Sequence, residues 1–366
     1  MNHNLDFLFL SEADAVKAGA GDIHTCIQVM DEVFDLLGQG DYLMGAPNHN
    51  SHGIKIYFPK ETPFPGMPVK GPDRRFMALG GRFHVCGEKW YGSNLANREK
   101  GLPRSILTTV LNDPDTGAPL AIMSANALSA ARTGAIPAVG AKYFARNQAE
   151  TVSAIGIGVI GRACLEALMD VLKSIREIRL CDIDEAAAKR YAEELREKYK
   201  VSVKVAASVE EAVRGSDVVN VATSGSVSPR IEDEWLKEGA LLTLPASADI
   251  SETLMMDSRI VVDNWEMYEA YAEELRNAKG GFGKNLSGIC GFMMDLVWDG
   301  KIRKEDITGL GDVAAGKAEG RHDDKEKVIF IMDGMPIEDL AWGYTIYRNA
   351  LEQGIGKRLN LWGDLT

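Results

Sequence analysis

A glycine-rich turn between an apolar strand and an amphipathic helix constrains this chain more than any other feature. The segment Thr151–Asp182 starts with a short apolar run, breaks at Gly156, Gly158 and Gly161, and continues with apolar residues at helical spacing. A second β-type run then ends at an acidic residue, Asp182. This order of strand, glycine turn, helix and strand predicts a βαβ unit that binds a dinucleotide.

The three glycines have separate roles in such a unit. Gly156 permits the tight turn, Gly158 lets a diphosphate approach the backbone, and Gly161 lets the helix pack closely on the strand. The diphosphate would lie at the helix N-terminus, at Val159 and Ile160, where unpaired N–H groups and the helix dipole favour anions. The alternative for a GxGxxG string is a structural turn, but its place between a strand and a helix favours dinucleotide binding.

Asp182 indicates which dinucleotide is bound. It follows the last glycine by about 20 residues, the spacing of an acid that binds the adenosine ribose. A carboxylate there accepts hydrogen bonds from the ribose hydroxyls and repels a 2′-phosphate, and Ile183, Asp184 and Glu185 supply no cation to hold such a phosphate. We therefore predict NAD rather than NADP as the cofactor.

Composition excludes several classes of partner. The formal net charge of −12 over 366 residues argues against nucleic acid and against an anionic membrane surface. No apolar run approaches the length of about 20 residues that a membrane span needs, and the N-terminus has no basic region typical of a signal peptide. Five scattered cysteines without a CxxC pair indicate reduced thiols. We predict a soluble, cytoplasmic protein.

The pattern of elements predicts two domains. After Asp182, helices alternate with short apolar strands, as in a doubly wound parallel sheet. Before it, the runs Phe76–Asn94 and Arg104–Asn112 have the character of antiparallel strands. A helix over Ser129–Phe144 connects the two patterns, and Pro137 is predicted to kink or interrupt it.

We therefore predict an α/β protein with a Rossmann domain, residues 131–329, inserted in a discontinuous α+β domain, residues 1–130 plus 330–366.

Several longer strings resemble the ornithine cyclodeaminase/μ-crystallin family. They are GEKWYGSN with GLPRS, LNDPDTGAPLAIM, LSAARTGA, IGIGVIGR, GLGDVAAGKAEGR and DGMPIEDLAWG, in family order from about Met77 to the end. Within the family, the strings GLPRS and GEKWYGSN most resemble those of the branch near the siderophore-pathway amino-acid dehydrogenases. The resemblance implies NAD(P)-dependent redox chemistry at the α-carbon of an amino or imino acid, in a homodimer whose discontinuous domain binds substrate and dimerises.

The resemblance assigns cationic substrate-binding residues. Lys89 matches the lysine of the G-x-K motif, and its alternative is a strand-edge lysine that reaches solvent. Arg132 matches the arginine of the [ST]-x-x-RT motif and would contact the substrate carboxylate or a cofactor phosphate; its alternative is a helix-surface salt bridge. Arg104 stands where cyclodeaminases often have threonine, and would bind a second carboxylate or a phosphate, with a solvated strand arginine as the alternative.

Other positions would complete the site. Asp249 falls near the family's catalytic aspartate, which takes protons from the amine or activates water, although the glycine of the family pattern is missing and a helix N-cap is the alternative. Thr223 and Ser224 end a strand at the cofactor crevice. Asp333 and Gly334 match the pair that closes over the substrate.

The main departure from the family lies upstream. His49 stands where the family has an arginine that binds the substrate carboxylate, so we list His49 as substrate-binding and expect Arg74, Arg75 or Arg82 to compensate. His49 and His52 form an HxxH pair and His84 follows further along the chain, but no cysteine or third ligand stands at a recognisable metal-binding spacing, so no metal is predicted.

The leading prediction is an NAD-dependent oxidoreductase of the ornithine cyclodeaminase type, which acts on a small amino or imino acid. Hydride moves to NAD, an imine forms, and ammonia is lost or the imine is reduced again. Alternatives are an amino-acid dehydrogenase or ketimine reductase of the same family, a non-catalytic, crystallin-like protein that binds the dinucleotide, and a generic 2-hydroxy-acid dehydrogenase.

Overall fold

The computed structural model describes residues 4–45, 48–55, 73–79, 81–224, 227–277 and 288–363. Within them the chain forms two compact units. The first comprises Met1–Asp22, Gly40–Arg132 and Met335–Thr366, and the second comprises Ile23–Gln39 and Thr133–Gly334.

The described elements are numbered in chain order. The strands are β1 (Leu5–Leu10), β2 (Tyr42–Met44), β3 (Ile54–Lys55), β4 (Asp73–Leu79), β5 (Val85–Ser93), β6 (Ser105–Asn112), β7 (Pro119–Ser124), β8 (Thr151–Ile155), β9 (Glu177–Cys181), β10 (Ser202–Val205), β11 (Val218–Val221), β12 (Leu241–Leu244), β13 (Arg259–Val262), β14 (Thr308–Gly309), β15 (Val328–Ile331) and β16 (Lys357–Trp362). The helices are α1 (Glu12–Lys17), α2 (Ile23–Gln39), α3 (Asn126–Phe144), α4 (Val159–Val171), α5 (Glu185–Tyr199), α6 (Val209–Val213), α7 (Glu252–Met256), α8 (Trp265–Asn277), α9 (Gly288–Trp298), α10 (Leu310–Ala314) and α11 (Pro336–Gln353), with 3-10 turns at Leu95–Lys100, Asp233–Trp235 and Lys304–Asp306.

The first unit contains a mixed sheet in the order β16-β1-β7-β6-β5-β4-β2, with β3 paired to β4. Only the β1–β7 pair is parallel among these described pairings. Alternate residues of β6, Leu107, Thr109 and Leu111, are buried, and helix α11 packs against β4, β5 and β6. Trp342 of α11 is fully buried and its indole N–H donates to the carbonyl of Ala20 at 3.2 Å.

The second unit contains a parallel sheet in the order β10-β9-β8-β11-β12-β15-β13-β14. Every residue of β11, β12 and β15 is buried, as expected for central strands that helices cover on both faces. The predicted fold class, a Rossmann sheet together with a discontinuous α+β part, is confirmed.

Two local features bear on the predictions for Pro137 and for the domain bounds. Helix α3 runs through Pro137 without interruption, because the neighbours Ile136, Ala138 and Val139 are fully buried and their packing outweighs the missing hydrogen bond. Helix α2 groups with the second unit, although it lies within residues 1–130 that were assigned to the first domain, because its buried face packs on α10 and α4. In the described part of the chain, no helix is both long and apolar enough to cross a membrane.

Candidate active site

The glycine turn after β8 lies in the second unit and has the close backbone approaches that the spacing of its glycines predicts. Gly156 has a φ of +85°, and a Cβ there would lie 2.8 Å from the carbonyl oxygen of Ala222. A Cβ on Gly161 would lie 2.0 Å from the carbonyl oxygen of Gly156, so only glycine allows this approach of helix to turn. Among the described residues, a Cβ on Gly158 would meet nothing within 4 Å, which leaves open space beside the backbone.

The N-terminus of α4 is available to an anion. Gly158 is its N-cap, no side chain in the described part of the chain caps it, and Val159 is largely exposed. The first N–H groups of a helix have no intrahelical acceptor, and their dipole favours negative charge. Open space and an uncapped helix end, side by side, fit the diphosphate of a dinucleotide.

Asp182 is tied to the glycine turn. One carboxylate oxygen accepts a hydrogen bond from the Ile157 N–H at 2.7 Å, and the other accepts from the Asp184 N–H at 2.9 Å. Each oxygen keeps a second lone pair for a ribose hydroxyl. Ile183 beside it is fully exposed. The carboxylate is therefore fixed next to the phosphate-binding turn, where a ribose-binding acid belongs.

Thr223 and Ser224 lie where the sequence placed them. They follow β11 at the carboxyl edge of the parallel sheet, the edge at which such sheets bind ligands. Thr223 is half-buried, and its backbone nitrogen would lie 3.0 Å from a Cβ on Gly156. Thr223 therefore borders the glycine turn.

Asp249 has a surface contact in the same unit. Its carboxylate accepts a hydrogen bond from the guanidinium of Arg230 at 3.1 Å, and its side chain is 58% exposed. Residues Arg230 and Asp249 also form an isolated parallel bridge. The N-cap alternative does not apply to Asp249, because Ser251 caps α7 by accepting from the Leu254 N–H.

A buried charge cluster lies in the first unit and consists of Lys89, Ser129, Arg132, Glu338 and Asp339. The ammonium of Lys89 lies 2.8 Å from both carboxylate oxygens of Asp339 and 3.1 Å from the hydroxyl of Ser129. The side chain of Lys89 is 1% exposed. The alternative of a lysine that reaches solvent is therefore wrong, since this ammonium is held inside the unit.

Arg132 binds the same carboxylate from another side. Its Nε lies 3.1 Å and its Nη2 3.0 Å from the two oxygens of Asp339, and its Nη1 donates to Glu338 at 2.7 Å. Burial alone would lower the pKa of Arg132, but the carboxylates of Asp339 and Glu338 raise it. The alternative of a helix-surface salt bridge is also wrong, because both partners are buried.

Local structure explains why these charges meet. Strand alternation turns Val85 and Lys89 of β5 to the buried face, against α11. Glu338 and Asp339 lie in the first turn of α11, where carboxylates interact favourably with the helix dipole. Glu338 also accepts from the Met335 N–H at 2.9 Å, which fixes the start of the helix. The cluster pairs two cations with two carboxylates and is close to neutral.

Asp333 and Gly334 follow β15 in the second unit. Both backbone N–H groups donate to one carboxylate oxygen of Asp263, each at 2.8 Å. Gly334 has a φ of +78°, a left-handed conformation that favours glycine. Asp333 is exposed and Gly334 is buried.

The remaining predicted cations have other surroundings. Arg104 is half-buried before β6, and within the described residues its Nε is buried without a hydrogen-bond partner. His49 is exposed with a φ of +56°. Arg82 lies over the ring of Phe83 at 4.4 Å, and the side chains of Arg74 and Arg75 lie outside the described residues. No group of three metal-ligating side chains occurs in the described ranges.

Sequence reasoning missed Glu338, Asp339 and Asp263. Two adjacent acids inside the apolar string MPIEDLAW signal buried charge, because acids are rarely fully buried unless they are paired. An acid directly after the apolar strand Ile260–Val262 is a similar signal, since ligand-binding residues follow the strands of a parallel sheet.

Comparison with known proteins identifies the family. The model of the ornithine cyclodeaminase/mu-crystallin family matches residues 20–354. The chain belongs to this family. The resemblance stated from the sequence motifs is thereby confirmed.

Curated members of the family resemble the chain over most of its length. Alanine dehydrogenase of Archaeoglobus fulgidus is 33% identical over 75% of this chain and 80% of its own. The N-((2S)-2-amino-2-carboxyethyl)-L-glutamate dehydrogenase of Staphylococcus aureus is 26% identical over 98% of this chain and 100% of its own.

Solved structures share the fold. An archaeal alanine dehydrogenase dimer with bound NAD aligns with a TM-score of 0.79 and 28% identity, over 98% of this chain and 100% of its own. The Thermococcus litoralis Delta(1)-pyrroline-2-carboxylate reductase, in complex with NADH and L-proline, aligns with a TM-score of 0.76 and 26% identity, over 96% and 100%.

Proposed function

We propose that this protein is an NAD-dependent oxidoreductase that acts at the α-carbon of an amino or imino acid. The observation that carries the proposal is the buried pairing of Lys89 and Arg132 on Asp339, in a chain that also has an open phosphate-binding turn next to Asp182. The names of the relatives, amino-acid dehydrogenases and imino-acid reductases that bind NAD or NADH, support it.

The second unit binds the cofactor in this proposal. Gly156, Gly158 and Gly161 hold the diphosphate at the N-terminus of α4, and Asp182 accepts hydrogen bonds from the ribose. The same carboxylate repels a 2′-phosphate, so NAD is preferred to NADP. NAD, when bound, accepts the α-hydrogen of an amino acid as hydride, and NADH returns hydride to an imine.

The first unit binds the substrate. Arg132 has N–H donors that neither Glu338 nor Asp339 uses, and a guanidinium binds carboxylates in a fixed fork. Lys89 lies beside it and holds positive charge near the imine or amine. Because Asp339 fixes both cations before substrate arrives, little reorganisation is needed when the substrate binds. Arg104 and His49 would contact other polar groups of the substrate. A substrate contact of Asp333 and Gly334 stays a prediction from the family resemblance.

Asp249 acts as the general base in this proposal. As an exposed carboxylate it takes a proton from the amine, or from the water that attacks the imine. Attack by water gives a keto acid and ammonia with net formation of NADH. Attack by a distal amine of the substrate on the imine carbon expels the α-amino group as ammonia and gives a cyclic imine. Return of the hydride to this imine completes cyclodeamination and leaves no net NADH.

We also propose a homodimer. The first unit's sheet has an open face with exposed apolar residues on several strands, among them Phe9, Trp90, Ile106 and Leu359. The register pairs Phe7 directly with Leu359, so the apolar residues of β1 and β16 lie together. Exposed apolar patches of this kind mark interaction surfaces, and the archaeal relative is a dimer. A location in the cytoplasm stays a prediction from composition.

A screen of purified protein tests the activity. The protein is incubated with NAD and each of ornithine, lysine, arginine, alanine, glutamate and proline, while absorbance at 340 nm and ammonia release are followed in the same wells. Growth of NADH identifies a dehydrogenase, and ammonia without NADH identifies a cyclodeaminase. The reverse reaction, oxidation of NADH with pyrroline-2-carboxylate or with a keto acid plus ammonia, is measured in parallel.

If no well shows ammonia release or a change in NADH while the protein still binds NAD, the proposed activity toward these substrates is overturned. That result would favour the non-catalytic, crystallin-like alternative.

A further inference from the structure

A buried carboxylate in the second unit, which the sequence did not single out, accepts hydrogen bonds from two predicted site residues. Asp263 follows β13 directly and is 1% exposed. One of its oxygens accepts from the Tyr268 hydroxyl at 2.6 Å and from the Asn264 N–H at 2.9 Å. The other accepts from the Asp333 and Gly334 N–H groups at 2.8 Å each. No cation pairs with it among the described residues, so hydrogen bonds alone hold this buried acid.

The two strands that carry these residues are neighbours. β13 and β15 pair in parallel with Val262 opposite Ile331, and the Asp263 N–H donates to the Ile331 carbonyl at 3.3 Å. Asp263 therefore lies at the same level of the sheet edge as the start of the turn that it holds. That edge, at the carboxyl ends of the strands, is where parallel sheets bind their ligands.

We propose that Asp263 is a positioning residue that fixes the backbone turn at Asp333–Gly334 and thereby presents the Asp333 carboxylate at the ligand-binding edge. The role of this turn in ligand binding rests on the proposed function, but the contact between Asp263 and the turn does not.

The turn needs such a residue for a physical reason. Two consecutive N–H groups at the end of a strand have no further strand to pair with, and Gly334 adopts a conformation that few residues share. A single carboxylate oxygen that accepts from both groups fixes the two peptide planes together. Hydrogen bonds to a charged acceptor are also stronger than those to a neutral one, so the carboxylate holds the turn more firmly than an amide would.

The surroundings of Asp263 make its charge dependent on pH. Burial raises the pKa of Asp263 to about 6, and the charge of Asp333 also raises it, while hydrogen bonds from Tyr268 and Gly334 lower it. Burial likewise raises the pKa values of Tyr268 and Cys290, the other titratable groups near Asp263, so both stay neutral at neutral pH. Protonation in mild acid favours the folded state as a whole, but it weakens the acceptor and so loosens the turn locally while the Asp263 carboxyl stays buried.

The test combines amide hydrogen exchange with steady-state kinetics on the full chain. Asp263→Asn replaces the carboxylate by a neutral amide of similar shape, and Tyr268→Phe is the matched control, because it removes one bond from the opposite oxygen. We expect Asp263→Asn to speed exchange of the Asp333 and Gly334 amides by about tenfold or more, as a lost charged acceptor predicts. We expect Tyr268→Phe to change it by less than about threefold.

Kinetics separate positioning from general damage. We expect Asp263→Asn to lower kcat/KM for the substrate found in the screen by about tenfold, while NAD affinity, measured by fluorescence titration, changes by less than about threefold. If Asp263→Asn does not fold, hydrogen exchange of the wild-type protein is measured at pH 5 and at pH 7.5 instead. After correction for the intrinsic exchange rate, we expect the protection of the Asp333 and Gly334 amides to be severalfold lower at pH 5.

Unchanged exchange at Asp333 and Gly334 in Asp263→Asn, or in acid where the variant does not fold, would overturn the inference. So would faster exchange with unaltered kcat and KM. A wild-type protein without turnover would remove the proposed function alone, and exchange would still decide whether Asp263 holds the turn.

Discussion

Lys89 of β5 and Asp339 of α11 are 250 positions apart in the chain, yet the ammonium lies 2.8 Å from both carboxylate oxygens and each side chain is at most 1% exposed. Asp339 is the common partner of Lys89 and Arg132, two of the predicted substrate-binding cations. A change at either end therefore alters stability and substrate binding together, and the two effects need separate measurements.

Removing one partner of this pair should destabilise the protein strongly. Lys89→Met leaves Asp339 buried beside Arg132 alone, and breaking a buried pair in this way costs about 3–5 kcal/mol. The free energy of unfolding is measured by denaturant titration. Lys189→Met is the control, because its pair with Glu185 is exposed on both sides and should cost less than about 1 kcal/mol.

A double variant separates stability from function. Lys89→Met combined with Asp339→Leu removes both charges and leaves Arg132 paired with Glu338, so much of the lost stability should return, since replacing a buried pair by apolar residues is often neutral. Activity should stay below about 1% of the wild type. A double variant as active as the wild type would exclude Lys89 from substrate binding.

The two glycines of the dinucleotide turn should respond differently to alanine. Gly158 has open space around a new Cβ and a φ of −65°, so Gly158→Ala should fold with unchanged or slightly higher stability, within about 1 kcal/mol. The methyl group would occupy the space assigned to the diphosphate, so the Kd for NAD should rise by at least about tenfold. Unaltered NAD binding in the folded variant would contradict the assigned diphosphate position.

Gly161→Ala is the matched comparison. Its Cβ would lie 2.0 Å from the Gly156 carbonyl oxygen, so the helix must move and the melting temperature should fall. Differential scanning fluorimetry of the two variants, with and without NAD, distinguishes a lost ligand contact from a lost packing contact.

Asp182 should set the preference for NAD over NADP. Asp182→Ala removes the acceptor for the ribose and the repulsion of a 2′-phosphate, so affinity for NAD should fall by about tenfold while affinity for NADP falls less or rises. Titration with both dinucleotides measures the ratio. Glu185→Ala, at the exposed start of α5, is the control, and its ratio should match the wild type. An unchanged ratio in Asp182→Ala would place cofactor selection elsewhere.

The amino-acid sequence alone predicts only part of this fold and of the candidate site. The family and the fold class could be predicted, because the glycine spacing, the strand–helix alternation and several long motifs are local properties of the chain. Lys89 and Arg132 could be singled out by their motifs, but their shared partner Asp339 could not, since it lies on an element far away in the sequence. Asp263 was missed for the same reason, because the N–H groups of Asp333 and Gly334 that donate to it come close only where β13 and β15 pair. Helix α3 continues through Pro137, where the sequence predicted a kink or an interruption, because the local preference for a helix break is weaker than the packing of a buried helix.

Asp263 should make the free energy of unfolding depend on pH. Its pKa is about 6 in the folded protein and 3.8 for the free group, so the folded state binds more protons than the unfolded state between these values. The stability linked to this group is fully present below about pH 4 and is lost as pH rises through about 6, a change of about 3 kcal/mol. Asp263→Asn should remove this component. The free energies of unfolding of variant and wild type are compared at several pH values from 4.5 to 7.5. A constant difference across this range would mean that the carboxyl has an ordinary pKa.

Substitution on the open face of the first unit's sheet should dissociate the proposed homodimer. Ile106 is 50% exposed on β6, while its neighbour Leu107 points to the core, so Ile106→Glu places a charge on the apolar face without disturbing the interior. A desolvated, unpaired charge in an interface is costly, and the variant should be a monomer by light scattering at concentrations where the wild type is a dimer. Val16→Glu, an exposed position on α1, is the control and should keep the wild-type mass. A monomeric wild type would refute the dimer itself, whereas a dimeric Ile106→Glu beside a dimeric wild type would place the interface on another surface.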